Sequence, residues 1–162
     1  TGAARRGRVT GRAISEGAMT SPERAMPGAR LWSDFVGSWE LVRDITHADA
    51  TRARFSGTAV FRPVETGLDY TEAGLLKVGN AAPMTASQRY HWDRDLTVWF
   101  DDGRLFHHVP AFGGAVEHWC DPDTYVGNYD FSDWPAFSIR WDVRGPRKAY
   151  QSVSRFVRIG AE

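Results

Sequence analysis

The amino-acid sequence predicts an all-β domain: an antiparallel barrel of about eight to ten strands entered through a short helical turn. Three observations predict it. Apolar side chains recur with a period of two from Trp39 to Ile159. Gly, Pro, Asp and Asn fall between these runs, and no stretch keeps the period of a long helix.

Residues 1–30 carry Gly, Ala, Arg and Pro without a sustained apolar period, and are expected to form a flexible extension. Residues 31–162 are expected to form the barrel domain. Ser33 or Asp34 is placed to cap a short helical turn that ends near Gly37. Trp39, Leu41 and Ile45 then alternate with Glu40 and Asp44. Phe55, Gly57, Ala59 and Phe61 share a second face, in a run that Pro63 is expected to end. Leu68, Tyr70 and Glu72 follow, continuing through Gly74 to Val78. Ala86, Gln88, Tyr90 and Trp92 fall together on the next run. LTVWF and RLFHHV read as a hairpin turning at Asp101, Asp102 and Gly103, residue types that tolerate positive φ.

Ala115 to Cys120 makes another strand, broken at Asp121-Pro122. Tyr125, Gly127, Tyr129 and Phe131 share one side of the run that follows. Phe137, Ile139, Trp141 and Val143 alternate strictly, and Gly145-Pro146 turns the chain into a last strand from Tyr150 to Ile159. Arg147 and Lys148, just after that turn, are expected to be solvated. Strands of similar length joined by short turns suit a sandwich or an up-and-down barrel. Closure removes the exposed edges, and a barrel of this size can enclose one small ligand.

Composition narrows the function classes. The chain's 162 residues suit one domain. Twenty basic and twenty acidic side chains balance to zero, which tells against nucleic acid as a partner. No apolar run approaches the length of a membrane span, and the start lacks a secretory h-region. The one cysteine, Cys120, excludes an intrachain disulfide and fits a cytoplasmic setting.

FVGSWELV, residues 35–42, resembles the opening of calycin-type barrels, the lipocalin and fatty-acid-binding-protein group. The resemblance implies that Trp39 plugs the closed end against a basic side chain of the last strand, with Arg155 the first counterpart and Arg158 the second. DGRLFHH, EHWCDPDTYVGNYDF and WDVRGPRKAY resemble a family of small bacterial and fungal proteins known as a domain of unknown function. That resemblance runs from about Phe35 to Arg158. It implies a calycin-like fold and no established reaction.

Candidate site residues follow from the inward faces. His118 and Cys120 alternate onto one face, but an i, i+2 pair on a strand projects its side chains in parallel, poor geometry for a thiolate–imidazole pair. His107, with a strand pair between, can face His118. His107, His108, His118, Cys120 and Asp123 lack the spacing of a metal shell, and no metal is expected. Barrels that hold haem by one histidine share only the opening, and no cofactor is expected.

A small organic molecule held inside the barrel is the favoured partner. Tyr70, Glu72, Gln88, Tyr90, His107, His118, Tyr125 and Tyr129 are its candidate contacts, polar groups set among aromatics, with Gly127 leaving space beside the last two. If the protein is an enzyme, Glu72 or His118 is the candidate acid or base, because burial raises the pKa of an unpaired carboxyl. Tyr90 or Tyr129 would steady an oxyanion, and an isomerase, cyclase or dehydratase fits that set. A third reading is a protein-interaction module with a filled barrel.

Overall fold

The computed structural model describes residues 28–160. Most of the expected extension therefore lies outside the described residues. Arg30 already joins the barrel. Its amide donates to the Ala111 carbonyl (2.7 Å), and its guanidinium lies 4.6 Å from the centroid of Trp134.

A 3-10 turn at Trp32–Phe35 leads into ten strands: β1 (Gly37–His47), β2 (Arg52–Val64), β3 (Gly67–Val78), β4 (Met84–Asp93), β5 (Thr97–Phe100), β6 (Leu105–His108), β7 (Gly114–Cys120), β8 (Asp123–Asp130), β9 (Phe137–Arg144) and β10 (Ala149–Arg158). All pair antiparallel, and β10 returns to pair with β1 along Trp39↔Arg158 to His47↔Tyr150. The result is the expected all-β, calycin-like barrel, nearly closed. β6 and β7 flank the one place where no ladder forms among the described residues. Side chains bridge that gap: the Phe106 ring stacks on Trp141 at 5.2 Å and meets His118 edge-on at 5.4 Å.

Two glycines shape the wall. Gly57 and Gly74 are register partners on β2 and β3, and a Cβ on Gly57 would stand 2.2 Å from the Ala73 carbonyl oxygen. No real Cβ fits there, so the two backbones approach closely only because both positions lack one.

The core fills one end. Phe35, Trp39, Phe61 and Phe137 are fully or almost fully buried there, with ring centroids 5.0–6.3 Å apart in mostly edge-on contacts. Phe137 also stacks flat on Phe156 at 4.5 Å. Edge-on aromatic pairs satisfy the ring quadrupoles while removing large apolar areas from water. Trp39 donates its indole N–H to the Phe35 carbonyl (2.9 Å), so the ring is both anchored and dry.

Three local expectations are corrected. The residue capping the 3-10 turn is Leu31; Asp34 reaches back to accept from the Leu31 amide (2.8 Å) from within the turn, so neither Ser33 nor Asp34 is the cap. Pro63 does not end its run: β2 continues to Val64, with Pro63 opposite Leu68. The cation over Trp39 is Arg158, not Arg155. The Arg158 guanidinium sits 4.1 Å from the ring centroid and donates to the carbonyls of Val36 (2.7 Å) and Asp34 (2.6 Å). Register decides this, since Arg158 lies directly opposite Trp39 while Arg155 points outward to Asp133 (3.7 Å).

Candidate functional site

Beyond the aromatic plug the barrel opens into a cavity of about 550 Å³. Phe61, Trp92, Val98, Ile139 and Phe156 make an apolar floor, and His47, Lys148 and Tyr150 line the far end. Of the eight expected ligand contacts, Tyr70, Glu72, Gln88, Tyr90, His107, Tyr125 and Tyr129 all line this one cavity. His118 is not in the lining. It packs against Phe106 and Tyr125 beside the β6–β7 gap, with its Nε2 buried and unpartnered. The space expected beside Gly127 is taken: Trp141, its register partner on β9, lies flat against it, and a Cβ there would meet the indole at 2.6 Å. The glycine admits a ring of the wall itself.

The centre of the site is an ion pair that alternation places but that was not expected. Arg43 stands on β1 between the inward-facing Leu41 and Ile45. Its Nη1 and Nη2 donate to the two oxygens of Glu72 (3.0 and 3.2 Å), and its Nε donates to the Ser154 hydroxyl (2.7 Å). Ser154 is its register partner on β10, which explains the short reach. Glu72 lies two strands away, opposite Ala59 on β2, while Arg43 stands opposite Phe55; the side chain crosses over the Phe55 ring, 5.7 Å from its centroid, where Gly57 leaves room. Glu72 is 2% exposed and the Arg43 side chain 20%. A bidentate pair of this kind is both strong and directional. It also changes the expected role of Glu72, since both carboxylate oxygens are already engaged.

A family model spanning residues 35–158 matches the chain, under the description "Family of unknown function (DUF6314)". The chain belongs to this family. Comparison with curated proteins gave no match. Among solved structures, the S-type phycobiliprotein lyase CPES from Guillardia theta is similar at a TM-score of 0.54 and 12% identity, over 81% of this chain and 92% of that one. A de novo designed fluorescence-activating β-barrel is similar at a TM-score of 0.39 and 14% identity, over 78% of this chain and 95% of the design. The first likeness shows a shared fold.

The electrostatics of this DUF6314 barrel leave its interior rings uncharged. Burial, and then the Glu72 carboxylate, holds the Tyr70 hydroxyl well above its ordinary pKa and pushes Tyr90 up to about 12. Burial likewise raises Tyr129 and Tyr150. Burial drives His107 down to about 3, with smaller contributions from His118 and His108. The neutral His107 pairs through Nε2 with the Tyr129 hydroxyl at 2.5 Å, and its buried Nδ1 has no partner. For Arg43 burial works against the charge, yet Glu72 and the neighbouring tyrosines outweigh it and the guanidinium is held above its usual value. Tyr90 donates to the Gln88 side-chain oxygen (3.0 Å).

Lys148 is exposed, as expected, and stands at the rim of the lining, 3.5 Å from Asp123. Tyr125, ahead of Asp123, holds its ammonium above the ordinary value. Among the described residues no three His, Cys, Asp or Glu converge as metal ligands, and no helix is long and apolar enough to cross a membrane. Cys120 is a free thiol whose Sγ lies 4.0 Å from Arg104, away from the cavity. Arg43, His47, Tyr150, Ser152 and Ser154 also belong to the polar lining and were missed. The signal for Arg43 was present in the strand's alternation, because an inward arginine needs a buried carboxylate and Glu72 was already assigned inward.

Proposed function

We propose that this protein binds a small, partly apolar organic molecule inside the barrel, with Tyr70, Glu72, Gln88, Tyr90, His107, Tyr125 and Tyr129 among its contacts. The observation that carries the reading is the cavity itself: about 550 Å³, with an apolar floor and polar groups converging on the Arg43–Glu72 pair. Ligand sites have this size and this ratio of wall to hooks. An interaction module with a filled barrel has no use for such a volume. The free Cys120 supports a reducing, cytoplasmic setting.

Native mass spectrometry of the purified protein, beside a denatured sample and an absorption spectrum, tests the proposal. A mass excess that disappears on denaturation is the expected result. A titration panel of hydrophobic dyes and lipids that finds no saturable binding, together with no retained mass, would overturn it. Glu72→Gln separates carrier from enzyme: a carrier shows altered affinity alone, whereas an acid–base enzyme loses turnover.

A further inference from the structure

The lining of the cavity bears three formal charges, on Arg43, Glu72 and Lys148. The first two neutralise each other at 3.0 Å. Lys148 stands half in solvent beside Asp123. No charge is therefore left unbalanced in the interior. A carboxylate brought to Arg43 would find Glu72 already there, so two anions would share one cation away from bulk water. Such an arrangement forces one of them to take a proton or leave. A cationic ligand meets the same obstacle from Arg43. Uncharged groups incur neither cost.

The hydrogen-bonding capacity left over is mostly that of donors. A guanidinium has five N–H groups. Two of them go to Glu72 and one to Ser154, which leaves two without a partner. Ser154 accepts from Arg43 through its hydroxyl oxygen, so its own O–H is left to donate. An acceptor oxygen on the ligand fits this supply. The walls add a shape. All five tyrosines of the chain line the cavity, beside Trp92 and Trp141, and a flat aromatic ligand gains offset-stacked or edge-on contacts with such rings that a flexible alkyl chain does not.

We infer, resting on the binding role proposed above, that the ligand is an uncharged, planar aromatic carbonyl compound whose oxygen accepts from Arg43, and that Glu72 sets this specificity by occupying the charge a carboxylate ligand would need.

Equilibrium dialysis of the full chain against a dihydroxyanthraquinone, a hydroxyflavone, palmitate and an alkyltrimethylammonium salt tests this at neutral pH. The anthraquinone or the flavone is expected to bind saturably, and palmitate at least about tenfold more weakly. Glu72→Gln frees the Arg43 charge, so the preference of the cavity for the neutral probe over palmitate is expected to fall by about tenfold. Palmitate binding the wild type as tightly as the neutral probes, or a Glu72→Gln preference identical to wild type, would overturn the inference. Should Glu72→Gln fail to fold, Arg43→Met/Glu72→Gln removes both charges together. It is expected to weaken the best neutral probe by about tenfold, and unchanged affinity counts against the role of Arg43. Binding of palmitate or the cation without either neutral probe refutes the ligand class but leaves a binding barrel. Binding of none of the four, with no retained mass, removes both readings.

Discussion

Arg43→Met isolates the energetics of the interior pair. The substitution keeps an unbranched, flexible stem but strands Glu72, 2% exposed, with a carboxylate and no cation. Removing one partner of a buried pair costs about 3–5 kcal/mol. The low end applies here, about 3 kcal/mol, because the Arg43 side chain keeps 20% exposure and cavity water reaches the site. With a urea m-value of about 2 kcal/mol/M, the unfolding midpoint should fall by about 1.5 M. Arg43→Met/Glu72→Leu removes both charges and should return to within about 1 kcal/mol of wild type, because apolar replacement of a buried pair is close to neutral. The two single variants and the double form a cycle whose coupling should exceed about 2 kcal/mol. A single variant within about 1 kcal/mol of wild type, or a double no better than the worse single, would refute the account of the pair as a mutually dependent unit.

Two further predictions concern the plug and the interior histidine. Arg158→Met removes the cation over Trp39 and two hydrogen bonds to turn carbonyls, and should cost about 2–3 kcal/mol. Arg155→Met breaks only an exposed contact and should cost under about 0.5 kcal/mol; equal losses in urea unfolding would contradict the register argument. His107 has a folded pKa of about 3, below its unfolded value of about 6.5, so the unfolded state binds the extra proton between these limits. Stability from the buried neutral ring is thus full above about pH 6.5 and falls as pH drops toward 3, by up to about 2 kcal/mol between about pH 7 and about pH 5. His107→Phe should flatten that part of the profile, and an unchanged slope would show that another group carries it.

Alternation made the fold legible because a barrel wall obliges every second residue to face inward. The same rule, applied to the sequence alone, placed Tyr70 and Glu72 on β3, Gln88 and Tyr90 on β4, and Tyr125 and Tyr129 on β8 around one cavity. What alternation cannot supply is register between strands. Alternation puts Arg158 on the inward face with Ser154 and Phe156 and Arg155 on the outward one, but only the pairing Trp39↔Arg158 sets that inward cation over the plug. Gly127 shows a second limit, since the absence of a side chain signals a close approach without naming what approaches. Trp141, across the ladder, fills that place, and no local pattern in β8 specifies it. His118 alternates inward like its neighbours, yet it sits beside the unpaired β6–β7 edge, where the wall is interrupted and an inward residue packs between strands instead of lining the interior.

The division of the barrel into a plugged end and an open belt bears on why the ion pair exists. Phe35, Trp39, Phe61 and Phe137 bury their rings without help from any polar side chain in the cavity, and Arg158 ties the entering turn to the last strand. Folding therefore has no evident need for charge at the centre. Arg43 nonetheless interrupts an otherwise apolar inward run between Leu41 and Ile45, against the binary pattern that specifies the strand. Glu72 does the same on β3 after Leu68 and Tyr70. Apolar residues at both positions would stabilise the fold about as well. Departures from local pattern that add little stability are expected where a site is built. Here both departures meet each other and point into the same 550 Å³, so the pair fits the proposed binding site better than a role in the stability of the wall.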